Sequence, residues 1–110
     1  MALLTLDDAK EYLRVDTADE DAMICSLISS AGRLCMDVAR LTVDQWAVID
    51  SDVTKTKRYS ASELATLRET LRVAMLYALG YMFEHREEAD HHSLILTLRN
   101  LLFAVREGVV

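Results

Sequence analysis

The residues with the clearest potential for chemistry are three histidines and four carboxylates within one short stretch. They are His85, His91, His92, Glu84, Glu87, Glu88 and Asp90. Neutral imidazole and carboxylate groups bind zinc and other divalent cations. A zinc site draws its ligands from converging elements, whereas these residues share one helix end and the turn after it. Histidines at a helix C-terminus also suit the helix dipole without a metal. We therefore expect no metal site and no cofactor.

Glu84 and Glu88 form an i,i+4 carboxylate pair, a spacing that could serve acid–base catalysis. With Arg86 between them, the pair is more typical of a solvated helix face. The surrounding sequence predicts no apolar pocket in which a carboxyl group would be activated. We expect no catalytic residue, and we expect that the protein is not an enzyme.

A small basic group, Lys55, Lys57 and Arg58, lies beside Tyr59 and could contact phosphates or an acidic protein surface. The first part of the chain offers the opposite charge. Its acidic residues are Asp7, Asp8, Glu11, Asp16, Asp19, Glu20 and Asp21, against Lys10 and Arg14. We expect the basic group to meet Asp19, Glu20 and Asp21 of a neighbouring subunit.

Composition predicts one all-α domain over residues 1–110. Apolar residues make up 52% of the chain, and the absence of proline with only three glycines favours long helices. Surplus apolar surface on a domain this small is typically covered by another subunit. The net charge of −6 disfavours a nucleic-acid-binding surface, which needs an excess of lysine and arginine.

The cysteines and the apolar segments point to a reducing, non-membrane setting. Cys25 and Cys35 lie on one predicted helix, about 15 Å apart along its axis, which is too far for a disulfide between them. No signal peptide is visible at the N-terminus. The uncharged stretch Val73–Phe83 is too short to cross a bilayer, so we expect no membrane contact.

Capping patterns mark the first two helices. Thr5 with Asp8 predicts a helix over Leu6–Leu13. Thr17 with Glu20 forms a similar pattern and predicts a second helix from Ala18 to about Arg40.

The segment Leu41–Tyr59 is expected to be a long connection between the main helices. Thr42 with Gln45 could cap a short helix ending at Ile49, and Val53–Tyr59 is either extended or a mobile loop. No strand in the chain could pair with it. We expect this segment to be mobile in a free subunit and to become ordered against a neighbour, with Trp46 as its anchor.

The remaining helices complete a bundle of about four. Ser60 with Glu63 predicts the longest helix, from Ala61 to Glu87, and its stretch Val73–Phe83 is apolar on every face. A last helix carries its apolar face on Leu94, Ile95, Leu98, Leu101, Leu102 and Val105 and stops near Glu107. Tyr81 and Phe83 are further candidates for an interface.

Two phrases of the sequence resemble the small head–tail connector (adaptor) proteins of tailed bacteriophages. The first is LTLDDAKEYLRVD followed by DEDAMICSLISSA, and the second is Phe83–Glu87, in which His85 replaces the usual amide. The last helix departs from the family, since Leu101–Arg106 lacks its proline and aromatic residue. The resemblance covers most of Leu3–Leu34 and Ala61–Arg106, and it assigns Arg86 and Arg106 to contacts between proteins.

The resemblance implies a structural role in the neck of the virion, assembled in the cytoplasm of the bacterial host. It implies a ring of about twelve subunits below the portal protein, which extends the DNA channel without specific DNA binding and docks the next neck or tail protein. Two alternatives remain open. One is a small acidic helical regulator that binds a host protein. The other is a DNA-packaging accessory protein similar to a terminase small subunit, although no basic recognition helix is visible.

Overall fold

The computed structural model describes residues 3–85 and 92–103, and these residues form an all-α subunit. The helices are α1 (Leu6–Leu13), α2 (Asp21–Val38), α3 (Val43–Ile49), α4 (Ala61–Glu84) and α5 (His92–Leu102). The all-α prediction is confirmed, and no strand occurs in these two ranges. The described part has five helices because α3 forms inside the predicted connection.

Three helices begin at the caps that the sequence predicts. Thr5, Thr42 and Ser60 each accept a hydrogen bond from the backbone N–H three residues later, and the side chain at that position bonds back to the cap. These capping boxes satisfy backbone donors that a helix start leaves without partners. The bounds of α1 agree with the prediction at both ends.

The predicted start of the second helix is wrong. Its cap is Glu20 rather than Thr17, and the Glu20 side chain makes no capping hydrogen bond. The helix begins at Asp21, whose carboxylate lies 2.8 Å from the Lys10 ammonium on α1. An ion pair between two helices therefore accompanies this start in place of a local capping box.

The central element is α4, which contacts each of the other four helices. Its buried face carries Leu64, Leu67, Leu71, Ala74, Met75, Ala78, Leu79 and Met82. The most extensive contact joins α4 to α2, and α5 covers both of these helices with Leu94, Leu98 and Leu102. Among the described residues, no polar or charged residue is buried in this core.

The connection between α2 and α4 contributes to the core. Leu41 and Ile49 are buried, at the two ends of the stretch that contains α3. This differs from the expectation that all of Leu41–Tyr59 depends on a neighbouring subunit, because the helical half has its own partners within the chain. The ordering of residues 50–59 by a neighbour stays a prediction.

The all-round apolar stretch of α4 is only partly covered. Val73 is 54% exposed and Tyr77 is 42% exposed, one turn apart on the same face. Burial of these side chains requires a further surface, as the sequence indicates. This helix ends at Glu84 with His85 as its C-cap, before the predicted end at Glu87. The predicted end of the last helix near Glu107 lies outside the described residues.

The two cysteines are both free and differ sharply in access. Cys25 is exposed, whereas Cys35 is fully buried. Burial raises the pKa of the Cys35 thiol to about 12, which suppresses the reactive thiolate. We expect a thiol reagent at pH 8 to label Cys25 rapidly and Cys35 only after unfolding. Mass spectrometry of native and denatured protein would measure this, and equal labelling of both in the native state would contradict the described burial.

Candidate functional site

A groove, here called the aromatic groove, lies between the end of α1 and the second half of α4. Its volume is about 420 Å³. It is lined by Tyr12, Leu13, Arg14, Tyr77, Gly80, Tyr81, Phe83 and Glu84. Aromatic side chains around an open cavity are typical of the anchor positions in protein interfaces.

Gly80 gives the aromatic groove its shape. A Cβ atom at this position would lie 3.1 Å from Cε2 of Tyr12, so the tyrosine ring rests directly on the α4 backbone. Tyr77 lies one turn earlier on the same face, and both tyrosines remain about half exposed. Neither Tyr12 nor Gly80 was predicted from the sequence to line a binding surface. A glycine within an otherwise apolar helix was the only available signal.

Two predicted interface residues, Tyr81 and Phe83, line the aromatic groove and are half-buried. The ring of Tyr81 stacks on His85 with ring centres 4.1 Å apart. The His85 Nδ1 atom lies 2.9 Å from the Tyr81 backbone oxygen. His85 is thus engaged at the end of α4, and the two aromatic residues occupy positions that suit their predicted role.

A second groove, here called the tryptophan groove, lies between α2 and α3 and shares no lining residue with the aromatic groove. It has a similar volume of about 420 Å³. It is lined by Leu4, Ile28, Ser29, Gly32, Arg33, Met36, Val43, Trp46, Asp50 and Met75. Trp46 is half-buried and packs against the core, so it contributes to its own subunit as well as to this surface.

The outer surface of α5 is unusually apolar. Ile95, Leu96 and Leu101 are exposed, and Phe103, directly after the helix, is 61% exposed. A monomeric domain seldom leaves so many large apolar side chains in water on one short element.

The predicted basic group lies in the irregular segment before α4. Lys55, Lys57 and Arg58 are exposed, and the Arg58 guanidinium lies 5.5 Å from the centre of the Tyr59 ring. Of its predicted acidic partners, Asp21 already pairs with Lys10 within the subunit. Contact of the basic group with a neighbour's Asp19 and Glu20 stays a prediction. Arg86 and Arg106 lie outside the described residues.

Arg68 on α4 fixes the connection that carries the basic group. Its Nε atom donates to the backbone oxygen of Ile49 at 2.8 Å. Its Nη2 atom donates to the backbone oxygens of Val48 at 3.1 Å and Val53 at 2.6 Å. One guanidinium thus binds two backbone oxygens at the end of α3 and one in the loop that follows.

Arg72, one turn later on α4, holds the N-terminal segment. Its Nη1 atom donates to the Leu3 backbone oxygen at 2.8 Å and to Asp8 Oδ2 at 3.2 Å. The backbone N–H of Leu3 donates to Oδ1 of Asp50, the C-cap residue of α3, at 2.5 Å. The two arginines therefore tie the N-terminal segment, α3 and the loop to one helix.

The carboxyl group of Asp8 is expected to make the stability of the fold depend on pH. Hydrogen bonds from the Thr5 backbone, and then from Arg72, lower the pKa of Asp8 below its usual value. A carboxyl group whose pKa is lower in the folded than in the unfolded protein stabilises the folded state when the pH is above the unfolded-state pKa. This stabilisation is lost as the pH falls through the folded-state pKa. We expect Asp8→Asn to lower the melting temperature at pH 7, with the difference from wild type shrinking below pH 4. Asp7→Asn is the matched control, and an equal deficit of Asp8→Asn at pH 7 and pH 2.5 would contradict this role.

Residues 3–85 and 92–103 contain no group of three or more His, Cys, Asp or Glu side chains placed to hold a metal ion. Within the same ranges, none of the helices is both long enough and apolar enough to cross a membrane. His91, one of the three histidines between residues 85 and 92, lies outside the described residues.

These features define a class of protein, a small helical subunit whose prominent sites are apolar surfaces suited to other proteins. The family model for the phage gp6-like head–tail connector protein matches residues 3–107, nearly the whole chain. The chain belongs to this family, and its role is that of a structural connector between phage head and tail. Searches of curated proteins and of solved structures found no match.

Proposed function

We propose that this connector assembles as a closed ring of about twelve subunits beneath the portal protein in the neck of the virion. The ring extends the channel through which DNA passes and presents a platform for the next neck or tail protein. Its work is assembly through complementary surfaces, with no covalent chemistry. It forms in the host cytoplasm before or during attachment to the filled head.

The observation that carries this proposal is the family match over residues 3–107. The uncovered apolar surface supports the oligomeric part of it. Exposed side chains such as Tyr77 on α4 and Phe103 after α5 lose contact with water only against another chain. A ring gives every subunit two such contacts and leaves none open at an end.

The charge of the chain supports passage of DNA without specific binding. A net charge of −6 provides few of the lysine and arginine contacts that hold phosphates. An acidic channel wall leaves DNA free to slide, which suits a connector through which the genome must pass on ejection.

The test is the mass of the purified protein, measured by native mass spectrometry and sedimentation velocity, with negative-stain images of any large species. We expect closed particles of about twelve copies, or a number close to this when no portal fixes the symmetry. A strictly monomeric protein at high micromolar concentration and low salt contradicts ring assembly. Tight binding to duplex DNA at physiological salt would instead favour a packaging accessory role.

A further inference from the structure

We propose that adjacent subunits of the ring join by one specific contact, in which the outer face of α5 from one copy occupies the aromatic groove of the next. The α5 outer face is defined as Ile95, Leu96, Arg99 and Phe103. This inference rests on the proposed ring assembly and names the two surfaces that build it. The occupant of the groove is a second copy of this chain.

The distribution of exposed apolar side chains points to these two surfaces. Among the described residues, three of the large exposed apolar side chains lie on α1 and α4, at or beside the aromatic groove: Tyr12, Val73 and Tyr77. Four more lie on α5 or directly after it: Ile95, Leu96, Leu101 and Phe103. Elsewhere in the described ranges only Val43 and Val53 are comparable.

The two surfaces are separate, as a ring requires. The aromatic groove is lined by residues of α1 and α4 and by Arg14 after α1, with no contribution from α5. A subunit can therefore offer its groove to one neighbour and its α5 outer face to the other at the same time. Such a head-to-tail contact repeats around an axis and closes into a ring when the rotation permits.

Charge supports the pairing of these two surfaces. From His92 to Phe103 the only formal charge is that of Arg99, and no carboxylate is present. The aromatic groove carries one carboxylate, Glu84 on α4, and one cation, Arg14 after α1. Glu84 and Arg99 are exposed, and neither of them forms an ion pair within residues 3–85 and 92–103. Arg99 of one copy and Glu84 of the next supply opposite charges at the edge of an apolar contact, where they set register.

Phe103 is the most exposed apolar residue of the α5 outer face, and it determines how this face would enter the groove. Phe103 lies four residues after Arg99, on the same side of the helix, and is 61% exposed. The groove, with a volume of about 420 Å³ and walls formed by Tyr12 and Tyr77, is open enough to receive an aromatic anchor. Placing Phe103 between the tyrosines brings Arg99 to the groove edge.

The experiment is a charge swap in the full-length protein, with assembly followed by sedimentation velocity over a range of concentrations. Glu84→Arg and Arg99→Glu each place like charges across the contact, and we expect either to raise the concentration for half-assembly about tenfold or more. The double variant, Glu84→Arg with Arg99→Glu, restores opposite charges and should return to within about threefold of wild type. Equal mixtures of the two single variants should also co-assemble better than either alone.

Controls separate a local contact from a general effect of charge. Glu69→Arg on α4 and Arg40→Glu after α2 make the same chemical changes at exposed positions outside both surfaces. Circular dichroism verifies that every variant is folded. If wild type forms rings but the single variants assemble like the controls, or the double variant shows no recovery, the contact proposed here is wrong while ring assembly stands. A wild-type protein that remains monomeric overturns ring assembly and this contact together.

Discussion

Replacing Arg68 by alanine is expected to lower the free energy of unfolding by about 2–3 kcal/mol, since it removes three charge-assisted hydrogen bonds to backbone oxygens. The oxygen of Ile49, a buried residue at the end of α3, would lose its guanidinium donor. The loop from residue 50 to 60 would also lose its tie to α4 at Val53. Chemical denaturation measures the first effect, and hydrogen exchange of amides 50–59 measures the second.

Two further variants show whether the loss of stability in Arg68→Ala comes from the hydrogen bonds of its guanidinium group. Arg68→Lys keeps the charge but not the planar fork that reaches several carbonyls, so we expect it to be intermediate. Arg33→Ala removes an exposed arginine whose ion pair with Asp37 spans one helical turn, and about 0.5 kcal/mol or less is expected there. If Arg68→Ala were no more destabilising than Arg33→Ala, Arg68 would not hold the connection.

The start of a helix was predictable from the sequence where hydrogen bonds between nearby residues determine it. Thr5, Thr42 and Ser60 are each followed three residues later by a side chain that completes a capping box, and each of these starts is confirmed. The same pattern at Thr17 failed. The start of α2 instead coincides with an ion pair between Asp21 and Lys10 of another helix, which a local pattern does not register.

The surfaces were less predictable because they join residues far apart in the chain. The aromatic groove depends on Tyr12 resting against Gly80, and the hold on the N-terminal segment depends on Arg72 reaching Leu3. No periodicity in the sequence specifies such pairs. The sequence did single out Tyr81, Phe83 and Trp46, which line the two grooves, and their role in binding other proteins stays a prediction.

Substituting leucine at Gly32 is expected to have the second large effect, because the side chains of Trp46 and Met75 both lie close to this glycine. A Cβ atom at Gly32 would lie 3.3 Å from Trp46 Cζ2 and 3.5 Å from Met75 Cε. The longer leucine side chain would overpack this site and displace the indole, at a cost of about 1–3 kcal/mol in the free energy of unfolding. Trp46 is the only tryptophan, so its fluorescence reports the displacement directly as a shift to longer wavelength.

Gly32→Ala is the control that distinguishes crowding from a requirement for glycine itself. Its single methyl group meets the same two side chains at tight but tolerable distances, and alanine gains about 1 kcal/mol of helix propensity over glycine within a helix. We expect the alanine variant to be close to wild type in stability and in emission wavelength, because crowding and propensity offset each other. If Gly32→Leu also left the emission wavelength unchanged, Trp46 would not rest on Gly32, and the tryptophan groove would not have the described shape.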